Sequence, residues 1–342
     1  MKNRPCSVRD IARIAGVSPA AVSYVLNAKP GVSDKTREKI LDVIEKLGYR
    51  DTQSGGDRDK SRLIYLVIDN ERASFDDLFY NSAMMGILEC CGRYGYHAVL
   101  TVSSSAEGYA LLRKSVEEKK IGGAIFLQTV RQKTADVLHM FGVPFVLLDA
   151  HMPVSGIPCV LCDYRQAAKK AVGYLIRAGH RRIAYLGYKG IPAFFESVLF
   201  GYREALAEAG LSYPEALSAA ADTEKESVSR AVASLLPQKP DAVFCAGDML
   251  GVLAEQCIAE AGFRVPDDIS VIAVDNISVS QFSSPPLSTV NIEKEKLGAM
   301  AVQLLLMMIV GKEKPDAVTS RILAPGEIVE RSSVKKLPDD RS

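Results

Sequence analysis

No apolar run in this 342-residue chain is long enough to cross a bilayer. The longest, AMAVQLLLMMIV from Ala299 to Val310, falls short of the roughly 20 residues that a transmembrane helix needs and contains Gln303. The first ten residues, MKNRPCSVRD, are charged and lack the apolar stretch of a secretory signal, so a cytoplasmic protein is expected. Cysteine patterning is also missing. The seven cysteines are odd in number and show no metal-ligand spacing, and Cys90 and Cys91 are neighbours on a helical pattern. They read as buried free thiols in a reducing compartment, with neither a disulfide framework nor a metal expected. Catalytic signatures are absent too. LGYKGIP from Leu186 sets glycines after a strand but without the GxGxxG or Walker spacing that cradles phosphate. None of the four histidines falls in a Ser/His/Asp or metal motif, so no enzyme and no cofactor is expected.

What is present is a large apolar fraction, 48% of residues, enough for two or three folding units at this length. The net charge of +1 conceals a division. Residues 1–62 hold 13 Lys and Arg against 8 Asp and Glu, while the remainder holds 29 against 33. A basic head on an acidic body points to a polyanion, because neutralising phosphates releases counterions.

The head contains VRDIARIAGVSPAAVSYVLN, from Val8 to Asn27. Ser7 with Asp10 forms a capping-box-like start, and Ile11, Ile14 and Ala15 recur at helical spacing. Gly16 stops that helix. Ser18 caps the next, with Pro19 at its first position and Val22, Val25 and Leu26 as its apolar edge. A third helix starts at Ser33 and is expected to bury Ile40, Ile44 and Leu47. Three short helices with a tight turn between the first two form a helix-turn-helix, whose second helix fits the DNA major groove.

From Arg50 to Arg62 no apolar residue occurs, and the segment RDTQSGGDRDKSR has linker composition. Beyond it the runs LIYLVI, HAVLTV, GAIFLQ, PFVLLDA, RIAYLG, AVFCAG and ISVIAVD alternate with amphipathic stretches. That rhythm predicts an α/β body of parallel sheets covered by helices. Ligands of such folds bind beyond the carboxyl ends of the strands, where Asp69, Asp149, Asp248 and Asp275 stand.

The words VRDIARIAGVS, VSYVLN, VSDKTREKILDVIEKLGYR, LIRAGHRRIAYLG, GYREALAEAGL, RVPDDISVIAVDN and PPLSTV, in this order, resemble the lactose-repressor (LacI/GalR) family of bacterial transcription regulators over nearly the whole chain. The resemblance implies a helix-turn-helix DNA-binding domain over 1–50, a linker over 51–62, a periplasmic-binding-protein-like body over 63–334 and a tail over 335–342. The body divides into one subdomain of about 63–161 and 292–323 and another of about 163–288 and 325–334. The chain crosses between them near Asp163, Ser288 and Ala324, and an effector binds in the cleft. The implied function is a sequence-specific regulator, a repressor, whose operator affinity a small ligand modulates. A solute-binding protein of a transport system and a regulator that has lost ligand response are the alternatives.

By the same resemblance Pro19, Ala20 and Tyr24 face the groove, and Ser7, Ser18, Ser23, Asn27, Ser33, Thr36 and Tyr49 hold phosphates or support docking. Arg9 and Lys29 are expected to add affinity for any duplex. Many members carry arginine in place of Tyr24 and threonine in place of Ala21. Arginine can bind guanine bidentately, whereas a tyrosine offers one hydroxyl and a ring, so a different operator is expected. Family members also have a proline, small apolar residues and a leucine after the positions matching Gly48-Tyr49-Arg50, forming a hinge helix. Asp51 to Lys60 here holds paired glycines, alternating charges and no leucine, which predicts a weak or absent hinge helix.

The implied effector pocket draws on Tyr80, Asp149, Asp248 and Asp275, with Asn276 beside the last. The position that often carries a ligand-binding arginine, shortly before the glycine of GYRE, is Val198, with Glu196 nearby. A pocket with added acid and no cation favours a neutral carbohydrate-like or a cationic ligand. The other reading of Asp248 and Asp275 is as helix caps. Two heads addressing a pseudo-palindrome require a homodimer. SAMMGILECC from Ser82 reads as core more readily than as dimer surface.

Overall fold

A computed structural model describes residues 7–26, 31–47, 62–69, 78–151, 154, 156–213, 215–311 and 321–337. The expectations for Asn27, Lys29, Tyr49 and the linker at 51–61 lie outside the described residues.

The head is built from α1 (Val8–Ala15), α2 (Pro19–Leu26) and α3 (Asp34–Leu47). Its starts follow from side-chain caps. Asp10 N donates to the Ser7 hydroxyl while Ser7 N donates to the Asp10 carboxylate at 3.0 Å, a reciprocal box. Gly16, at φ 62°, takes the left-handed conformation that closes α1. The hydroxyls of Ser18 and Ser33 accept from Ala21 N and Thr36 N at 3.1 and 3.3 Å. Ile11, Ala12, Ala15, Val22, Val25, Leu26, Ile40, Leu41, Val43 and Ile44 are buried together.

Two residues expected inside are not. Ile14 is 50% exposed and Leu47 37%. At 100° per residue, Ile11, Ala12 and Ala15 share one arc of α1, and Ile14 falls roughly 60° beyond it. Leu47 is the last residue of α3, past the end of the packed face.

The body runs β1 (Leu63–Ile68), α4 (Leu78–Arg93), β2 (His97–Val102), α5 (Ala106–Glu117), β3 (Gly123–Leu127), α6 (Gln132–Met140), β4 (Phe145–Leu148), β5 (Cys159–Cys162), α7 (Tyr164–Arg177), β6 (Ile183–Tyr188), α8 (Pro192–Glu208), β7 (Ser218–Ala221), α9 (Lys225–Leu235), β8 (Ala242–Cys245), α10 (Asp248–Glu260), β9 (Ser270–Asp275), β10 (Ser288–Asn291), α11 (Lys294–Ile309), β11 (Arg321–Leu323) and β12 (Ile328–Val329). Two six-stranded sheets result, with orders β11-β5-β4-β3-β1-β2 and β12-β10-β9-β8-β6-β7. Their paired neighbours from β2 to β5 and from β7 to β10 are parallel, and β12 joins β10 antiparallel. The central strands β3, β4 and β8 are buried at every residue, as parallel strands covered on both faces must be.

All seven apolar runs form strands, and β5, β7, β10, β11 and β12 lie outside them. Contacts divide the chain into two units, Met1–Phe75 with Ala83–Val160 and Gly298–Ser320, and Asp76–Ser82 with Leu161–Leu297 and Arg321–Ser342. Part of the expected tail is tied down in the second unit. Lys335 N donates to Ser270 Oγ at 3.0 Å, and Leu337 N donates to Ala178 O at 2.7 Å.

SAMMGILECC divides its faces. Ala83, Ile87, Cys90 and Cys91 are buried, whereas Met85 and Leu88, 52% and 49% exposed, face outward on α4. Leu100 and Val102 on the edge strand β2 are also exposed, beside a groove of about 360 Å³ shared with Leu111 of α5.

Candidate DNA-reading head and effector pole

Most of the head residues expected to meet DNA reach solvent, among those described. Pro19, Ala20 and Tyr24 are exposed on α2, and Tyr24 is 43% open, its ring beside Gly31. Ser18 and Ser33 are exposed at the helix starts, Arg9 is exposed on α1, and Ser7, Ser23 and Thr36 are half-buried. The Ser33 and Thr36 hydroxyls lie 2.8 Å apart. Hydroxyls and amides at helix starts suit phosphate oxygens, and an exposed face of α2 framed by them can enter a groove.

Each unit also carries a polar cluster at the carboxyl ends of its own strands. In the first unit Asp69 follows β1 and is buried, and its partner is a residue that the sequence reading passed over. Arg131 Nε and Nη2 donate to Asp69 Oδ1 at 2.9 and 2.6 Å, and Arg131 N donates to Oδ2 at 2.7 Å. The same guanidinium donates to Ser103 O and Ser104 O, and Ser103 Oγ donates to Asp69 at 2.6 Å. The carboxylate is thereby charge-compensated and well hydrogen-bonded. Asp149 follows β4 at φ 57°, buried, with His151 Nδ1 3.8 Å from Oδ1.

In the second unit β8 delivers Asp248 and β9 delivers Asp275 and Asn276. Asp248 is fully buried. It accepts from Ile277 N at 2.8 Å and from Thr289 Oγ1, and Thr289 Oγ1 in turn accepts from Asn276 N at 3.3 Å. Burial raises its carboxyl above the usual range, against the pull of Thr289, Ile277, Ser280 and Lys294. Asp275 and Asn276 take φ 117° and 57°, sparsely populated values that cost of order 1–3 kcal/mol each unless the surroundings hold them. Three further side chains meet here. Arg331 donates to Asn276 Oδ1 at 2.7 Å and to Leu287 O at 2.6 Å, Asn276 Nδ2 donates to Asn291 Oδ1 at 3.0 Å, and Lys294 donates to the carbonyls of Asp275, Asn276 and Ile292. At the ends of β6 and β7, Lys189 and Asp222 pair at 2.9 Å, both partly exposed.

Asp248, Asp275 and Asn276 are thus joined in one network. The other second-unit candidates differ in exposure. Val198 is wholly buried on α8, Glu196 is exposed on the same helix, and Tyr80 is 6% exposed with its ring edge-on to Phe79 at 5.2 Å. Arg131, Lys189, Lys294 and Arg331 carry the charge that the sequence reading missed. Attention to every ionisable residue within a few positions of the end of an apolar run, rather than to acids alone, would have found the first two; Lys294 and Arg331 follow β10 and β12, which no apolar run marked.

Comparison with known proteins identifies both the head and the body. The family model described as "Bacterial regulatory proteins, lacI family" matches residues 7–51, and that of the "Periplasmic binding protein-like domain" matches residues 172–334. Catabolite control protein A of Priestia megaterium is 32% identical, the match covering 96% of this chain and 99% of the relative. Among solved structures, a transcriptional regulator CelR–cellobiose complex is 29% identical with a TM-score of 0.71, over 96% of this chain and all of that one. A lac repressor dimer bound to operator and the anti-inducer ONPF is 25% identical with a TM-score of 0.65, over 97% of this chain and all of that one. No helix among the described residues is long and apolar enough to cross a membrane. With a relative of this identity along nearly its whole length, a matching head and a matching body, the chain belongs to the lacI family of bacterial regulatory proteins, whose members are DNA-binding transcriptional regulators and not enzymes.

Proposed function

We propose that this protein is a repressor that binds a pseudo-palindromic operator as a homodimer and changes its affinity when a small neutral, carbohydrate-like molecule binds at the strand ends of the second unit. The observation supporting the ligand class is charge compensation. In the second unit Asp275 and Asp248 act on the buried Lys294, and in the first unit Asp69 is separately paired with Arg131. A cationic ligand gains little from acids that already have cations, and an anionic one meets carboxylates without a free counter-charge. A polyol, which both donates to carboxylates and accepts from amides, fits best. The compensation favours the neutral member of the two classes expected from sequence. The CelR structure named above holds cellobiose, a ligand of this kind.

Calorimetry with neutral sugars, amines and sugar phosphates tests this reading. Binding of a neutral sugar, weakened at least tenfold by Asp275→Ala, is the expected result. Tight binding of a sugar phosphate would overturn the charge argument.

The head reads DNA through Tyr24 under this proposal. Tyr24→Ala is expected to cost about 1–3 kcal/mol at one base pair per half-site while leaving binding to unrelated duplex nearly unchanged. Arg9→Ala instead weakens all duplexes alike and lowers the salt slope by about one. Binding to a library of operator variants at two salt concentrations separates the two. Equal losses on every duplex for Tyr24→Ala would reassign it to phosphate contact or folding.

A further inference from the structure

The strand-end pole of the second unit contains a cation where a solvent-facing lysine is the norm. Lys294 opens α11, yet only 5% of it is exposed. Its ammonium has three donors, and three carbonyls receive them: Asp275, Asn276 at 3.1 Å and Ile292 at 3.0 Å. Two of those carbonyls belong to the adjacent residues that hold left-handed backbone at φ 117° and 57°. The charged groups facing Lys294 are Asp275 from β9, Asp248 from α10, Glu295 from its own helix and Cys162 from β5, and its ammonium stands 5.8 Å from the centre of the Phe79 ring. A lysine desolvated this far persists because several hydrogen bonds and opposite charges hold it. Burial lowers its basicity, and Asp275 and Asp248 oppose that shift.

We propose that Lys294 is the positioning and specificity-determining residue of this pole: it locks the Asp275–Asn276 turn into its left-handed form and supplies the internal counter-charge that restricts the pole to uncharged polyols. The proposal deepens the effector reading above and rests on it for the ligand class alone. Removing the charge while keeping the stem, as in Lys294→Met, takes the donor from the Asp275, Asn276 and Ile292 carbonyls and the counter-charge from Asp275 and Asp248. The turn then loosens, and the part of the loss due to the missing charge shrinks as Asp248, raised to about 6, takes up its proton. Packing by the aliphatic stem would produce no such pH dependence.

Hydrogen exchange read by mass spectrometry, corrected to protection factors, provides the test on the full-length protein. In Lys294→Met, protection across 275–292 is expected to fall at least tenfold at pH 7.5, with part of the loss repaired at pH 5 and part by adding Asp275→Asn. Lys294→Arg is expected to retain most of the protection. Protection equal to wild type at every pH would overturn the positioning role, and a loss that neither low pH nor Asp275→Asn lessens would overturn the counter-charge role. A calorimetric arm uses cellobiose, ribose and glucosamine as probes. If cellobiose or ribose binds wild type, Lys294→Met should weaken that sugar at least tenfold and gain affinity for protonated glucosamine. Unchanged preference would overturn the specificity role. Should none of the sugars bind wild type, the effector reading loses its support while the exchange result still decides what Lys294 does.

Discussion

Glu255→Met is expected to stabilise the protein progressively as pH rises from about 5 to about 8. Glu255 lies on α10 seven residues after Asp248, two turns along the same face, and is 2% exposed. Among the described residues neither of its carboxylate oxygens has a hydrogen-bond partner. The nearby Ser283 hydroxyl, which also reaches the carbonyls of Ser280 and Pro285 at 3.2 and 2.8 Å, favours the ionised carboxylate. Desolvation outweighs it and pushes the carboxyl up to about 8, with the nearby Asp248 adding to the shift.

The sign follows from proton counts. Between the unfolded value, near that of an ordinary glutamate, and about 8, the folded state holds a proton that the unfolded state has released. Stability then falls with rising pH, at roughly 1.4 kcal/mol per unit for one group, and levels off above the folded value. Methionine has similar length and no charge, so it removes this dependence. The free-energy gap between variant and wild type should widen to several kcal/mol by pH 8. Asp248 also titrates in this window, but it is present in both proteins and cancels to first order in the difference. Urea unfolding of both proteins at half-unit steps from pH 4.5 to 9 measures the gap. A gap independent of pH would show that Glu255 stays ionised when folded.

The pole that surrounds this helix was only partly legible in the sequence. Apolar runs revealed the central strands because β3, β4 and β8 are buried on both faces and must be apolar throughout. Ser218 to Ala221 forms β7 from serine and three alanines, residues with little strand preference, and only pairing with β6 makes it a strand. The acids at strand ends were visible because topology alone places them there. Their partners were not. Arg131 meets Asp69 across 62 positions and Arg331 meets Asn276 across 55, separations that no local pattern encodes. Without those partners the strand ends of each unit read as acidic; with them they read as compensated. Val198 shows the complementary limit, since a family position identifies the residue but not that its side chain is wholly buried.

Leu88→Arg combined with Leu100→Arg is expected to lower affinity for a full operator by about 10²–10⁴-fold while affinity for a single half-site changes little. Three short helices bury a small core and offer few side chains to base edges, so one head alone binds weakly. A second head joined through the body binds at high effective concentration, and this gain disappears when the two copies separate. The face proposed to join them lies in the first unit. Met85 and Leu88 point outward from α4 while Ala83, Ile87 and Cys90 on the same helix are buried, and Leu100 and Val102 project from the edge strand β2 beside Leu111, which is 65% exposed. Exposed apolar groups on consecutive elements, next to an unpaired strand edge, are a liability that a second copy removes. A charge at position 88 or 100 costs little in the separate chain, where both side chains already face water, but is costly once covered. Sedimentation should show the double variant at half the mass of wild type at micromolar concentration, with unchanged far-ultraviolet dichroism. Mobility-shift titrations on full and half operators then read the lost avidity. A double variant that still sediments as wild type and prefers the full operator would place the contact between copies on another face.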